Sequence, residues 1–162
     1  DSKGNPFFVQ RRSGLNGNEF ACLKLRTMTA GHGNEAQQAK EGDSRITAVG
    51  AFLRRTSLDE MPQFINVILG QMSIVGPRPH MLEHTESYRE RIDEFMVRHW
   101  IKPGITGLAQ AMGLRGETKE DSDMADRVKA DVYYLEHWSI LLDVKVFFWT
   151  IGNVLTGRNK GV

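Results

Sequence analysis

Two adjacent carboxylates, Asp59 and Glu60, follow two adjacent arginines in the stretch Arg54-Arg55-Thr56-Ser57-Leu58-Asp59-Glu60-Met61-Pro62-Gln63. At a helix start, beside guanidinium groups, a carboxylate is held ionised. An ionised, oriented carboxylate is a nucleophile toward phosphorus or a ligand for Mg²⁺. The same letters also admit a plainer reading, because Ser57-x-x-Glu60 is a capping box whose acids only finish a helix end. Pro62 bears on the register. A helix begun after Ser57 would need an N–H at that proline, whereas one begun at Asp59 places it in the tolerant first turn.

A second constellation is Gly76-Pro77-Arg78-Pro79. Prolines on both sides of Arg78 leave its guanidinium little backbone entropy to lose, which suits an oxyanion receptor. The alternative is a turn with a solvent-facing arginine. A third, His80-Met81-Leu82-Glu83-His84, fits the H-x-x-E-H pattern of inverted zinc peptidases. On a helix, His80 and His84 would share a face. A third protein ligand is then required, the last carboxylate downstream is Asp143, and the proline break abuts His80. Two solvated histidines explain the same letters. No Walker A sequence, GxGxxG or CxxC is present.

The elements that must position these residues can be read from periodicity. Phe7 to Arg12 and Phe20 to Met28 are strand-like, and Asn16-Gly17 between them marks a hairpin. Residues 29–44 read as a flexible Gly/Asn/Gln/Ala-rich loop, expected to move over a substrate. Ile46, Val49, Phe52 and Leu53 predict a short helix ending near Arg55, and Phe64 to Leu69 a second apolar run stopped by Gly70. A helix is expected from Met81 to Trp100, with Ile92, Phe95, Met96 and His99 as its stripe, ended by Pro103-Gly104. Residues 104–121 read as a glycine-rich loop. Ser122 or Asp123 then caps a helix carrying Met124, Val128, Val132 and Leu135 on one face.

The last run, Ile140 to Leu155, follows Ser139 as N-cap. On a helical wheel Asp143, Lys145, Thr150, Gly152 and Asn153 fall in one half. Ile140, Leu141, Val144, Phe147, Phe148, Ile151, Val154 and Leu155 fill the other, while Leu142, Val146 and Trp149 intrude on the polar side. This amphipathic helix either packs on a core or lies in a membrane interface, where Trp149, the phenylalanines and the trailing Arg158 and Lys160 would be at home.

Composition bounds the whole. The 162 residues are 40% hydrophobic and 25% charged, which suits one α+β domain with its own core, helix-dominated and opened by the β-hairpin. Net charge is +1 without a basic block, so nucleic-acid binding is not expected. Cys22 is the single cysteine and fits a reducing compartment. No apolar stretch is long enough to cross a bilayer. The chain begins at Asp1 without a methionine and reads as a fragment of a longer protein.

Five blocks, in order, carry a resemblance. They are Phe7-Phe8 with Gln10; Lys24-x-Arg26-Thr27-Met28; Arg54-x-x-Ser57-Leu58-Asp59-Glu60-x-Pro62-Gln63; Met72-Ser73-x-x-Gly76-Pro77-Arg78-Pro79; and Lys102-Pro103-Gly104-Ile105-Thr106-Gly107. Together they resemble the bacterial sugar transferases, the monotopic phosphoglycosyl transferases that start exopolysaccharide and capsule assembly. The subgroup most similar is the undecaprenyl-phosphate glucose phosphotransferases of colanic-acid-type pathways, which Arg115-Gly116-Glu117-Thr118 and the C-terminal run also resemble.

The resemblance implies a reaction at the cytoplasmic face of the bacterial inner membrane. A sugar 1-phosphate, glucose 1-phosphate in this subgroup, passes from a UDP-sugar to polyprenyl (undecaprenyl) phosphate, and UMP is released. Asp59 would attack the β-phosphorus and form an aspartyl-phosphosugar intermediate, while Glu60 would hold Mg²⁺. Lys24, Arg54 and Arg78 match basic positions and would contact phosphate. The family also has a hydrophobic helix that enters the membrane before the first motif, and these 162 residues do not include it. The partners implied are UDP-sugar, polyprenyl phosphate and a membrane interface; a homo-oligomer is compatible with the sequence. Two other readings stand beside this one. The first is a non-catalytic domain that binds nucleotide-sugar or lipid phosphate, and the second is a zinc hydrolase at His80, Glu83 and His84.

Overall fold

The computed structural model describes residues 1–29, 39, 42–116, 118 and 120–157. Strands β1 (Phe7–Ser13) and β2 (Glu19–Leu25) form the expected antiparallel hairpin, with Gln10 opposite Cys22. Asn16 and Gly17 turn the chain with φ of 55° and 75°, the left-handed region that Asn and Gly tolerate. Phe20 and Cys22 alternate inward along β2 and meet Met72, with Val67 and Ile105 packed against them. Most of the expected 29–44 loop lies outside the described residues.

Helix α1 (Ala48–Thr56) starts at Thr47, whose hydroxyl accepts from the Gly50 N–H. Gly50 presses on the hairpin's exit: a Cβ there would lie 2.0 Å from the Thr27 carbonyl oxygen. Ser57, at φ 56°, ends α1. A 3-10 turn over Leu58–Glu60 follows, and then α2 (Gln63–Ile68). The capping box read from Ser57 and Glu60 does not form. Ser57 sits in the left-handed region and its side chain caps nothing, while the Glu60 carboxylate is engaged elsewhere.

Strand β3 (Ser73–Val75) pairs in parallel with β4 (Gly104–Thr106), a contact absent from the sequence reading. Gly76 and Gly104 permit it, since a Cβ on Gly104 would lie 2.2 Å from the Gly76 nitrogen. The long helix expected over 81–100 is two pieces. Helix α3 (Leu82–Arg89) ends, Glu94 takes φ 59°, and a 3-10 helix covers Phe95–Trp100. Inside the expected glycine-rich loop lies a short helix, α4 (Leu108–Ala111). Helix α5 (Asp121–Glu136) begins on a Glu120–Asp123 capping box, so its N-cap lies two residues before Ser122, the earlier of the two expected caps. Its Met124 and Val128 pack with Ile92 and Phe95.

Helix α6 (Ile140–Leu155) begins at Ser139 as read, with the serine side chain accepting from the Leu142 N–H. Its packing reverses the usual sense. The side carrying Asp143, Thr150 and Asn153 faces the protein. Asp143 accepts from the Tyr134 hydroxyl at 2.6 Å, Thr150 meets Thr106 at 2.6 Å, and Asn153 donates to the Ala111 carbonyl at 2.8 Å. Val146 on that side is fully buried, with Leu142 against the same cluster as Val75, Leu108 and Tyr134. Of the three residues that seemed to intrude on a polar face, Val146 and Leu142 therefore belong to the core, while Trp149 is exposed. The apolar half points out: Leu141 is 82% exposed, Phe148 64% and Leu155 81%. Among the described residues, no helix is long and apolar enough to cross a membrane.

Candidate functional site

Three elements converge on Glu60. The 3-10 turn supplies the carboxylate, β2 supplies Lys24, and the loop after β3 supplies Arg78. Lys24 Nζ donates to Oε1 at 2.9 Å and Arg78 Nη2 to the same oxygen at 2.7 Å; Arg78 Nη1 reaches Oε2 at 3.4 Å. The Glu60 side chain is 7% exposed. Burial by itself would raise its pKa, but Arg78 and then Lys24 outweigh burial and hold the carboxyl well below the usual range. The Glu60 charge in turn pushes Arg78 up. Lys24 comes down, because its burial exceeds the help Glu60 gives.

Asp59 is the contrast. It is buried and makes no hydrogen bond or ion pair among the described residues. Burial and the neighbouring Glu60 charge raise its pKa, opposed by Lys24, Arg78 and Arg54. The sequence reading expects cations to hold both carboxylates ionised at low pKa. Only Glu60 is so held, because both nearest cations spend their bonds on it. The result is a pair with divided roles: one carboxylate locked and acidic, the other unencumbered and more basic, hence the better nucleophile when ionised.

Arg54, the remaining basic residue singled out in the sequence, donates from Nε to the Thr27 hydroxyl at 2.9 Å. It acts on Asp59 as a charge through space. For Mg²⁺, the donor set suits the ion in part. Glu60 Oε1 is committed to two cations, but among the described residues Oε2 has only the long Arg78 contact. Mg²⁺ ordinarily takes one or two carboxylates, waters and substrate phosphates, so a Glu60 oxygen beside Asp59 fits that pattern. Among the described residues, no three His, Cys, Asp or Glu side chains cluster as a ready-made cage.

The zinc pattern is not realised. His80 lies before α3, not on it, with Met81 extended between. Its Nδ1 is 2.9 Å from Arg98 Nη1, and its ring stacks on Phe95 at 5.8 Å. Two histidines therefore do not share a helix face. The side chain of His84 lies outside the described residues.

Several residues escaped the sequence reading. Arg12 of β1 donates from Nη1 to the Pro79 carbonyl at 2.7 Å, and burial together with Arg78 lowers its pKa to about 10. Arg98 pairs with Asp131 of α5 at 2.5 Å, both nearly inaccessible. A signal existed for this pair: Asp131 falls on the Met124–Val128 stripe, and Arg98 follows Phe95 on another apolar stripe. Charged residues on buried stripes are paired. Exposed apolar residues flank the dyad, with Leu58 and Met61 beside it, Ile65 and Ile68 along α2 and Leu69 at its C-cap.

Comparison with known sequences places the chain. The family described as bacterial sugar transferase matches residues 1–157. A Xanthomonas campestris pv. campestris protein, "UDP-glucose:undecaprenyl-phosphate glucose-1-phosphate transferase", is 50% identical over 156 residues, covering 95% of this chain and 32% of that protein. A Caulobacter vibrioides protein of the same name is 46% identical over 160 residues, 98% of this chain and 60% of that one. An Aeromonas hydrophila "UDP-N-acetylgalactosamine-undecaprenyl-phosphate N-acetylgalactosaminephosphotransferase" is 38% identical over 160 residues, 97% of this chain and 37% of that protein. The chain thus spans about a third of the length of the first of these relatives.

Proposed function

This chain belongs to the bacterial sugar transferase family, and from that premise we propose that it carries the catalytic segment of a phosphoglycosyl transferase. The reaction moves glucose 1-phosphate from UDP-glucose to undecaprenyl phosphate with release of UMP, on the cytoplasmic face of the bacterial inner membrane, and primes exopolysaccharide assembly. The names of the two half-identical relatives support the substrates. The Aeromonas hydrophila relative is named for N-acetylgalactosamine instead, so glucose rests on the two more similar relatives.

The observation that carries the mechanism is the unpaired Asp59 beside a Glu60 locked by Lys24 and Arg78. An Asp59 oxygen forms a bond to the β-phosphorus of the UDP-sugar, and the bond from that phosphorus to the bridging oxygen breaks. UMP leaves with the bridging electron pair, and the sugar phosphate remains on Asp59 as an acyl phosphate. A phosphate oxygen of the lipid then attacks the same phosphorus, and Asp59 departs as the free carboxylate. Two polyanions are handled in turn rather than together. Arg78, Lys24 and Arg54 draw in the diphosphate and counter its charge in a poorly solvated site. Glu60 would hold Mg²⁺ together with waters and diphosphate oxygens, and the ion's contribution is to neutralise the charge on the departing phosphate.

The outward apolar face of α6, with Leu58, Met61 and the exposed residues of α2, supports seating this chain against the bilayer that holds the lipid substrate. The test is UMP release in detergent with UDP-glucose, Mg²⁺ and undecaprenyl phosphate. Asp59→Asn should lose at least on the order of 10³-fold in rate, and intact mass should show a sugar-phosphate adduct on the unsubstituted protein only. Equal release by both proteins would overturn Asp59 as nucleophile. Binding of UDP-glucose by both without turnover would favour a binding domain.

A further inference from the structure

The loop bearing Arg78 has an unusual problem. Pro77 and Pro79 have no N–H, so the loop has few donors with which to hold itself. Instead its four consecutive carbonyls are each gripped from elsewhere. The Gly104 N–H donates to Pro77 at 2.9 Å and the Ser13 N–H to His80 at 3.2 Å. Arg12 Nη1 donates to Pro79 at 2.7 Å, and Arg98 Nη2 to the Arg78 carbonyl at 3.2 Å. Arg98 grips twice, for its Nη1 also donates to His80 Nδ1 at 2.9 Å. It sits over the Phe95 ring at 5.4 Å, and Phe95 in turn stacks on His80. Its side chain is 3% exposed and its charge is met by Asp131, 2% exposed, on α5.

We infer that Arg98 is a positioning residue for the transferase reaction: anchored by Asp131, it fixes the backbone of Arg78 and the ring of His80 so that the Arg78 guanidinium stays aimed at Glu60. The effect on catalysis rests on the function proposed above; the bracing itself does not. Arginine only donates, so His80 must accept at Nδ1 and carry its proton on Nε2. A fork with five donors can span a carboxylate, a carbonyl and an imidazole at once, whereas an ammonium on a single stem cannot. Arg12, Ser13 and Gly104 each hold one point of the loop. Arg98 holds two and connects them to α5, so it sets the angle at which Arg78 leaves the loop.

A merely structural ion pair would affect stability and leave the rest of the site independent. A positioning residue that acts through Arg78 must be non-additive with it. Arg98→Lys keeps the charge opposite Asp131, and its rate of UMP release is expected to fall on the order of 30-fold, since small misplacements of a positioned group cost rates of this size. Its thermal midpoint should change by only a few degrees. In an Arg78→Lys background the same change should alter the rate by less than about twofold. Losses that multiply in the double variant would overturn the inference, as would a wild-type rate for Arg98→Lys.

If Arg98→Lys does not fold, His80→Phe replaces it. That variant keeps the ring on Phe95 and removes the acceptor, with a smaller single loss but the same non-additivity. If the unsubstituted protein releases no UMP at all, the proposed reaction fails and the bracing is read from the ¹⁵N side-chain resonance of Arg78. Arg98→Lys is expected to move or broaden that resonance, and an unchanged Arg78 signal would overturn the bracing by itself.

Discussion

Two regions of this molecule break the rule of apolar inside and charged outside, in opposite directions. Around the dyad, Glu60, Arg98 and Asp131 are charged and nearly inaccessible. On α6, Leu141, Phe148 and Leu155 are apolar and mostly exposed. The difference lies in compensation. Each buried charge other than Asp59 has a partner within the fold: Lys24 and Arg78 for Glu60, and Asp131 for Arg98. Among the described residues the apolar face of α6 has none, while the polar side of the same helix is satisfied internally by Tyr134, Thr106 and Ala111. Among the described residues the charged region is complete except at Asp59. The apolar region is left open by the described residues. Large exposed apolar patches on folded proteins mark interaction sites.

Removing a charge from the first region should have the largest effect on stability. Glu60→Gln leaves Arg78 and Lys24 without their counter-charge. Breaking a buried pair typically costs about 3–5 kcal/mol, but Arg78 and Lys24 remain 30% and 18% exposed. About 2 kcal/mol is therefore the expected loss in urea unfolding. A loss near zero would mean that solvent already compensates the cluster, and the contrast with α6 would weaken.

The second test works on the other region. Leu141, Phe148 and Leu155 changed together to Glu should lower partitioning onto anionic bilayer vesicles by at least about 100-fold, each exposed side chain forfeiting on the order of 1–2 kcal/mol of transfer. Because all three point outward, stability in solution should stay within about 1 kcal/mol. Undiminished vesicle binding would show that the α6 face seats elsewhere.

The smallest effect is on pH dependence. His80 is pulled well below the ordinary histidine value by burial first, then by Arg98, Arg12, Arg78 and Arg127. His99 is lowered as well, by burial and Arg98. Below about pH 6.5 the unfolded chain takes up protons that the folded chain refuses, so stability falls with acidification, by at most about 1.4 kcal/mol per pH unit for each group. In this window Glu60 is ionised in both states and contributes no slope; its share is lost only in more acid solution. A Tm measured between pH 7.5 and 5.5 should therefore decline, less steeply in His80→Phe. Equal slopes would remove His80 from the account.

Much of this could be read from the letters, because the relevant signals are local. Asn16-Gly17 marks the hairpin and Ser139 the start of α6, and the arginines before Asp59 mark the site. What could not be read depends on contacts across the chain. Strands β3 and β4 are three residues each, too short to show a period, and their pairing is visible only once Gly76 and Gly104 touch. The left-handed Ser57 turned an apparent capping box into the element that swings Glu60 toward Lys24. The Met81–Trp100 pattern broke after Arg89, and the 3-10 helix that follows the left-handed Glu94 carries Arg98 to the Arg78 carbonyl. The wheel of α6 gave its two faces correctly, but periodicity cannot say which face turns inward.

The hairpin and the two buried ion pairs also bear on how the chain folds. Glu60 waits for Lys24, 36 residues away, and for Arg78, 18 residues away, while Arg98 waits for Asp131, a further stretch along. Contacts of such separation form late, because loop closure precedes their reward. On the ribosome the turn bearing Asp59 and Glu60 emerges well before α5, so a chain still being synthesised carries both carboxylates without the frame that differentiates them. The differentiated carboxylate pair is thus expected to assemble in one step, near the end of folding, and to come apart as abruptly when α5 detaches.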